Sequence, residues 1–190
     1  MKVSKRLVST AVLIIAILML SYSTIAYFTT EDTATNVITT GNIDIELQET
    51  TSDGSEFTDV VNVVPGQQIS KIVKVANKGA NDAYVRINLE QFIELANGTM
   101  VTEVGNLIFL DINTSNWTEK DGFYYYNEPL LPGQTTEALF EVVTFNPGMG
   151  NEYQKSEATI KVYAQATQVK NNGTTVFEAA GWPAKAAEAE

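Results

Sequence analysis

Apolar residues are distributed along this chain in two ways. Over residues 7–20 they form one nearly unbroken run. From Ile43 onward they mostly alternate with polar residues, the period of two expected of strands with one buried and one wet face. Ile43, Ile45 and Leu47 alternate with Asp44, Glu46 and Gln48. Further strand-like runs cover residues 57–64, 69–77, 83–89, 107–112, 123–126, 137–145 and 157–169. In the last of these Ala158, Ile160, Val162, Ala164 and Ala166 share one side. Pro65 with Gly66, and Pro132 with Gly133, mark strand-to-strand corners, because proline presets the turn and glycine accepts positive φ. The turn at residues 78–82 predicts a hairpin between the runs on either side of it. Leu89, Phe92, Ile93 and Ala96 are spaced for one or two helical turns that stop at Asn97 and Gly98. About eight or nine short strands separated by Gly and Pro turns predict an all-β fold, a single jelly-roll-like β-sandwich over residues 41–170 with short helical insertions.

The apolar run at residues 7–20 follows Lys2, Lys5 and Arg6 and matches the core of a signal peptide, about 7 to 15 residues long. A membrane span needs roughly 20 apolar residues, and Ser21, Tyr22, Ser23 and Thr24 dilute any extension. Thr24 and Ala26 place small side chains at the third-last and last positions before a cut. Residues 1–26 are therefore predicted to be a cleavable signal peptide, with Tyr27 as the mature N-terminus and an uncleaved anchor as the alternative. Residues 27–40 are rich in Thr, with Val37 and Ile38, a composition that favours extended backbone but is too thin in apolar side chains to bury itself. Such a segment reaches roughly 40 Å over about 12 residues. It reads as a donor strand, carried by Tyr27, Phe28, Thr33, Thr35, Val37 and Ile38, that pairs with an exposed sheet edge of a neighbouring copy. Pairing with its own sheet, or disorder, is the alternative. Residues 171–190 read as a tail with a turn at Asn172 and Gly173, an apolar cluster of Val176, Phe177 and Trp182, and an Ala/Glu end. The tail shows no hydrophobic anchor or cell-wall sorting pattern, so retention is expected to come from assembly or binding.

Charge and composition narrow the partners. The chain carries 12 Lys and Arg against 23 Asp and Glu. Removing residues 1–26 from the 190 leaves 164, with nine basic residues against 23 acidic ones and a net charge of −14. A surface of that sign disfavours nucleic acid and anionic membrane, which are bound through Lys and Arg clusters. Membrane contact is expected only through the uncleaved precursor. Cysteine and histidine are both absent. No Ser-His-Asp or Cys-His arrangement and no imidazole zinc ligand can be built, so any metal site would rest on oxygen ligands alone.

Other candidates for chemistry are weaker. Phe123, Tyr124, Tyr125 and Tyr126 would offer a sugar-stacking platform if alternate rings faced solvent, and otherwise form a strand with aromatics on both faces. Glu31 with Asp32, or Asp53 with Glu56 and Asp59, can be imagined around a divalent cation, but the spacing of a calcium loop is missing from both. Asn97, Asn113, Asn116 and Asn172 each begin an N-x-[ST] pattern and are expected to be turn residues. No cofactor is expected.

Several stretches together carry a family resemblance. Ala26-Tyr27-Phe28-Thr29, then Asp32-Thr33-Ala34-Thr35-Asn36, then Thr40-Gly41-Asn42-Ile43-Asp44-Ile45, resemble the secreted TasA/camelysin family of bacterial biofilm-matrix proteins. Residues 82–87, 122–140 and 160–168 fit the same family, and look similar to its clostridial-type branch. The resemblance implies a jelly-roll fold, processing by a dedicated signal peptidase, secretion to the extracellular matrix or cell surface, and polymerisation into fibres, in which accessory matrix proteins can take part. A monomeric adhesion module is the alternative. The camelysin branch also resembles proteins described as metalloproteases, but with no H-E-x-x-H motif and no histidine an enzymatic role has no residues to rest on.

Overall fold

A computed structural model describes residues 37–39 and 43–183. These form twelve strands: β1 (Val37–Thr39), β2 (Ile45–Thr50), β3 (Val60–Asn62), β4 (Gln68–Ser70), β5 (Ile72–Asn77), β6 (Ala83–Glu94), β7 (Met100–Val101), β8 (Ile108–Leu110), β9 (Trp117–Lys120), β10 (Phe123–Tyr126), β11 (Val142–Phe145) and β12 (Glu157–Gln168). The expected signal peptide and most of the expected donor segment fall outside the described residues.

The two longest strands organise the large sheet. β6 and β12 pair antiparallel along their entire length, from Ala83 opposite Gln168 to Glu94 opposite Glu157. Beyond β6 come β10 and then β9, with β7 on the far end of β6. The other side of β12 carries β3 at one end and β1 at the other.

The second layer is more continuous than its strand boundaries suggest. β2 pairs with β5, and β11 lies between β4 and β8. Backbone bonds from Gly133 to Asn77, Thr136 to Val75, Leu139 to Val73 and Lys71 to Glu141 join these pieces, so residues 133–145 run beside β4 and β5 together. The Thr136 hydroxyl accepts the Val75 amide at 3.0 Å where the regular ladder lapses. Gly66 and Gly133 hold the two Pro-Gly corners with φ of 78° and 76°.

The two layers share one core. β6 and β12 contribute Val85, Ile87, Ile160, Val162 and Ala164, and the second layer contributes Val73, Val75, Val143 and Phe145, all fully buried. Successive strands pass between layers at every step except β4 to β5, β6 to β7 and β9 to β10, the connectivity of a jelly-roll-like all-β sandwich.

Two local expectations are corrected. Residues 78–82 do not close a hairpin, because β5 and β6 lie in different sheets and the turn is a crossover. Leu89, Phe92 and Ile93 are not helical: they continue β6, held by Val162, Thr159 and Ala158 opposite. Long-range pairing with β12 outweighs the local helical spacing. The helical element among the described residues is a 3₁₀ turn at Asn151–Tyr153.

The outer face of the large sheet is covered as well. Tyr84 and Tyr125 pack with Val176, flanked by Phe123, Val169, Ala179 and Trp182. Asn172 pins this C-terminal segment by donating to the Gln168 and Ala180 carbonyls at 2.8 and 2.9 Å and accepting the Ala180 amide at 2.7 Å. Residues 171–183, read from sequence as a tail, include this packed strap.

Near one end of the core Trp117 packs on Tyr126, ring centroids 5.1 Å apart, and its indole donates to the Glu137 carbonyl at 3.2 Å. The Tyr126 hydroxyl donates to the Glu137 carboxylate. Burial, reinforced by that bond, pushes the Tyr126 hydroxyl up to about 12, and the same bond holds the Glu137 carboxyl below its usual range. Because the bond favours ionised Glu137, its contribution is in place above the ordinary glutamate range and is lost as pH falls through the lowered value. Tyr126→Phe is expected to return the Glu137 titration, followed by NMR, toward the ordinary glutamate value. Ile160→Ala is expected to cost about 2–5 kcal/mol in denaturant unfolding, whereas Leu131→Ala, at an exposed site, should stay within about 0.5 kcal/mol.

Candidate assembly edge

The edge of β12 opposite β6 is where the N-terminal segment meets the sandwich. Val37, Ile38 and Thr39 lie parallel to β12, opposite Ala164, Gln165 and Ala166. Val37 is half-buried against the main core. β3 takes the same edge from the other end, antiparallel over Glu157–Thr159, and the Ile160 amide donates to the Asp59 carbonyl at 3.1 Å. The local reason for this edge is the small side chains of β12: Ala158, Ala164 and Ala166 are fully buried.

A three-residue parallel strand is a light attachment. Parallel pairing is somewhat weaker per residue than antiparallel pairing, and β1 adds one short row to a sheet already ordered by β6 and β12. Of the residues expected to form the donor strand, Val37 and Ile38 are placed here, in the chain's own sheet. Tyr27, Phe28, Thr33 and Thr35 lie outside the described residues, as do Thr24 and Ala26, the residues expected before the cut.

The aromatic strand is not an open platform. Tyr124 and Tyr126 face the main core, whereas Phe123 and Tyr125 belong to the outer cluster under the C-terminal strap. Arg86 lies among these outer rings, its guanidinium carbon 3.9 Å from the Phe123 centroid and 4.5 Å from that of Trp182. It donates to Gln165 Oε1 at 2.8 Å, to the Tyr125 hydroxyl at 3.1 Å and to the Pro183 carbonyl at 3.4 Å. Stacking and neutral acceptors thus satisfy a buried cation that has no carboxylate partner among the described residues.

The Asn residues behave as turn residues. Asn97 accepts from the Thr99 amide, and Asn113 accepts from the Ser115 and Asn116 amides. Asn116 accepts from the Asn113 side chain, and Asn172 holds the strap.

Among the described residues the acidic side chains do not gather into a metal site. Asp53 is spent on Thr51 and Ser55, whose bonds pull its carboxyl down to about 2, and Asp59 accepts from Lys71. Glu56 bridges back to Thr50 through the backbone. Glu90 accepts from Tyr163, and Asp111 from the Glu141 and Val142 amides. Among the described residues no three acidic side chains converge. Glu31 and Asp32 lie outside that range. A cleft of about 750 Å³ is bordered by Phe92, Phe109 and Tyr124 with Glu90, Glu103 and Glu119.

The sequence reading passed over Lys71 and Arg86. The signal for Lys71 was its phase, since it falls in step with Ile69, Val73 and Val75 and so points inward with them.

Residues 2–106 match the family described as camelysin metallo-endopeptidase. No curated protein matches the chain. The matched stretch contains β1 through β7. A catalytic zinc of the kind the description implies does not fit these residues, because the chain has no imidazole or thiolate and no three of its described carboxylates converge.

Val37→Pro is expected to strip β1 from its neighbour. Amide hydrogen exchange should then quicken along residues 164–166 and stay unchanged along residues 157–159, which β3 holds.

Proposed function

This chain belongs to the TasA/camelysin family, and from that premise we propose that it is a secreted structural subunit that polymerises into extracellular fibres of a bacterial biofilm matrix. A dedicated signal peptidase cuts after Ala26, and the freed segment from Tyr27 to Ile38 then completes the sheet of a neighbouring copy. The observation that carries this reading is β1. The end of the N-terminal segment already occupies the β12 edge, in a short parallel row, in one copy of the chain.

Exchange follows from that geometry. The same three residues from a second copy make the same bonds, so the change from cis to trans costs little beyond the entropy of association. Donation from one copy to the next is a heterologous contact that does not close on itself, and it propagates as a filament. The uncut signal peptide keeps the donor tethered at the membrane, so cleavage starts assembly. Accessory matrix proteins with a similar strand can enter the same edge.

The metallo-endopeptidase description belongs to the family, and this chain offers neither imidazole nor thiol for that chemistry. We read it as non-catalytic. A second reading, a monomeric adhesion module, is favoured by the open cleft beside Tyr124 and Phe92.

N-terminal sequencing of secreted protein is expected to begin at Tyr27; retention of Met1 in membranes would overturn the processing step. Negative-stain microscopy of the mature protein at rising concentration should show fibres. Deleting residues 27–36 should leave a folded monomer, and a peptide of that sequence should cap growing ends. Polymerisation of the truncated protein at the normal rate would rule out strand donation by this segment. Incubation with casein should yield no turnover, and chelator-sensitive cleavage that survives further purification would refute the non-catalytic reading.

A further inference from the structure

The second layer contains a lysine with no exposed side-chain surface. Lys71, between β4 and β5, has its Nζ 2.6 Å from Glu49 Oε1 and 3.1 Å from Asp59 Oδ1. The Phe57 ring closes over the ammonium, its centroid 4.1 Å away. These groups come from separate places: Glu49 from the end of β2, Phe57 and Asp59 from the approach to β3, and Lys71 from the junction of the second layer.

As a plain ion pair this cluster is poorly balanced. Two carboxylates face one ammonium in a site largely closed to water, leaving an excess negative charge whose desolvation is costly. The two acids are also not equivalent. Lys71 Nζ makes a directed hydrogen bond to Asp59, while the nearer Glu49 Oε1 is wholly buried beside the same ammonium. Burial pushes the Glu49 carboxyl up against the opposing pull of the Lys71 ammonium. Glu49 is therefore suited to carry a proton, and Asp59 to receive the nitrogen.

We propose that Lys71 and Asp59 condense without an external enzyme into an intramolecular amide, with Glu49 as the proton relay. Nζ forms a bond to Asp59 Cγ, and one Cγ–O bond of Asp59 breaks. Two of the three ammonium protons pass in turn through Glu49 to the departing oxygen, which leaves as water, and the third stays on the amide nitrogen. Glu49 ends as it began. The ion pair and the products are equally neutral overall, and no oxidant or other reactant is needed.

Amide formation from a free amine and acid is unfavourable in water, but groups held in contact act at effective concentrations on the order of 10⁵ M or more. Asp59 retains one third of its side-chain exposure, which leaves a path for the released water. The product removes both charges of the pair from the interior and lets protonated Glu49 donate to the new carbonyl. The bond would close a loop over residues 59–71 and tie the second layer to the large sheet, since the Asp59 carbonyl accepts from Ile160 of β12. In a chain without cysteine this is a covalent staple that needs no thiol.

Intact-mass measurement tests the proposal on the purified protein, read against the sequence mass from whichever N-terminus is found. The expected mass is lower by about 18 Da, one water, with the loss located by fragmentation to a branched peptide joining Lys71 and Asp59. Lys71→Arg and Asp59→Ala should restore the full mass, and so should Glu49→Gln, with circular dichroism confirming that each is folded. Wild-type protein at its full sequence mass would overturn the proposal. So would a water loss located at Asp53 or Asp121, each followed by glycine and able to dehydrate to a succinimide, or a cross-link that forms at the normal rate in Glu49→Gln.

Discussion

Twelve consecutive residue pairs join β6 to β12, and the other elements take their places from this ladder. It fixes which faces of both strands turn inward, gives β10 and β9 an edge to extend, and presents on its other side the edge shared by β3 and β1. The pairing is non-local, since β12 begins more than 60 residues after β6 ends. It must therefore overcome a large loop-closure entropy before its contacts stabilise the fold. Fully buried Ile87 and Ile160, on the two strands, show what supplies the compensation.

An acidic protein that buries two of its few cations places heavy demands on their surroundings. Among the described residues Arg86 is met by aromatic faces and neutral acceptors, which also bring the C-terminal strap onto the large sheet. Lys71 is surrounded by more negative charge than it can balance. The guanidinium, broad and weakly hydrated, tolerates stacking. The ammonium is a compact point charge and draws in carboxylates. The two sites are different answers to the same desolvation problem, and both connect parts of the chain distant in sequence.

Family membership and side-chain chemistry point in different directions here. The family's description names a metallo-endopeptidase, yet the chain contains neither of the residue types that hold zinc most firmly in proteins. What the matched region does supply is architecture: β1 and, through β2 to β7, about half of each layer. A shared architecture does not by itself carry a shared reactive centre.

The sequence by itself determined the strand periods, the Pro-Gly corners, the Asn turns and the exclusion of imidazole and thiol chemistry, because each is set by local backbone preference or by composition. Only the tertiary structure decided the neighbours. Residues 78–82 join two layers instead of two hairpin strands, and residues 89–94 extend β6 despite a helical spacing, because pairing with β12 is worth more than the local preference. The period of two also placed Lys71 in step with Val73 and Val75, but it could not say that Glu49 and Asp59 would meet it. Alternation reports which side of a strand faces inward; what waits there depends on chain segments that arrive from elsewhere. The same limit governed Val37 and Ile38, whose composition made them a strand and whose partner, Ala164 to Ala166, lies more than 120 residues along the chain.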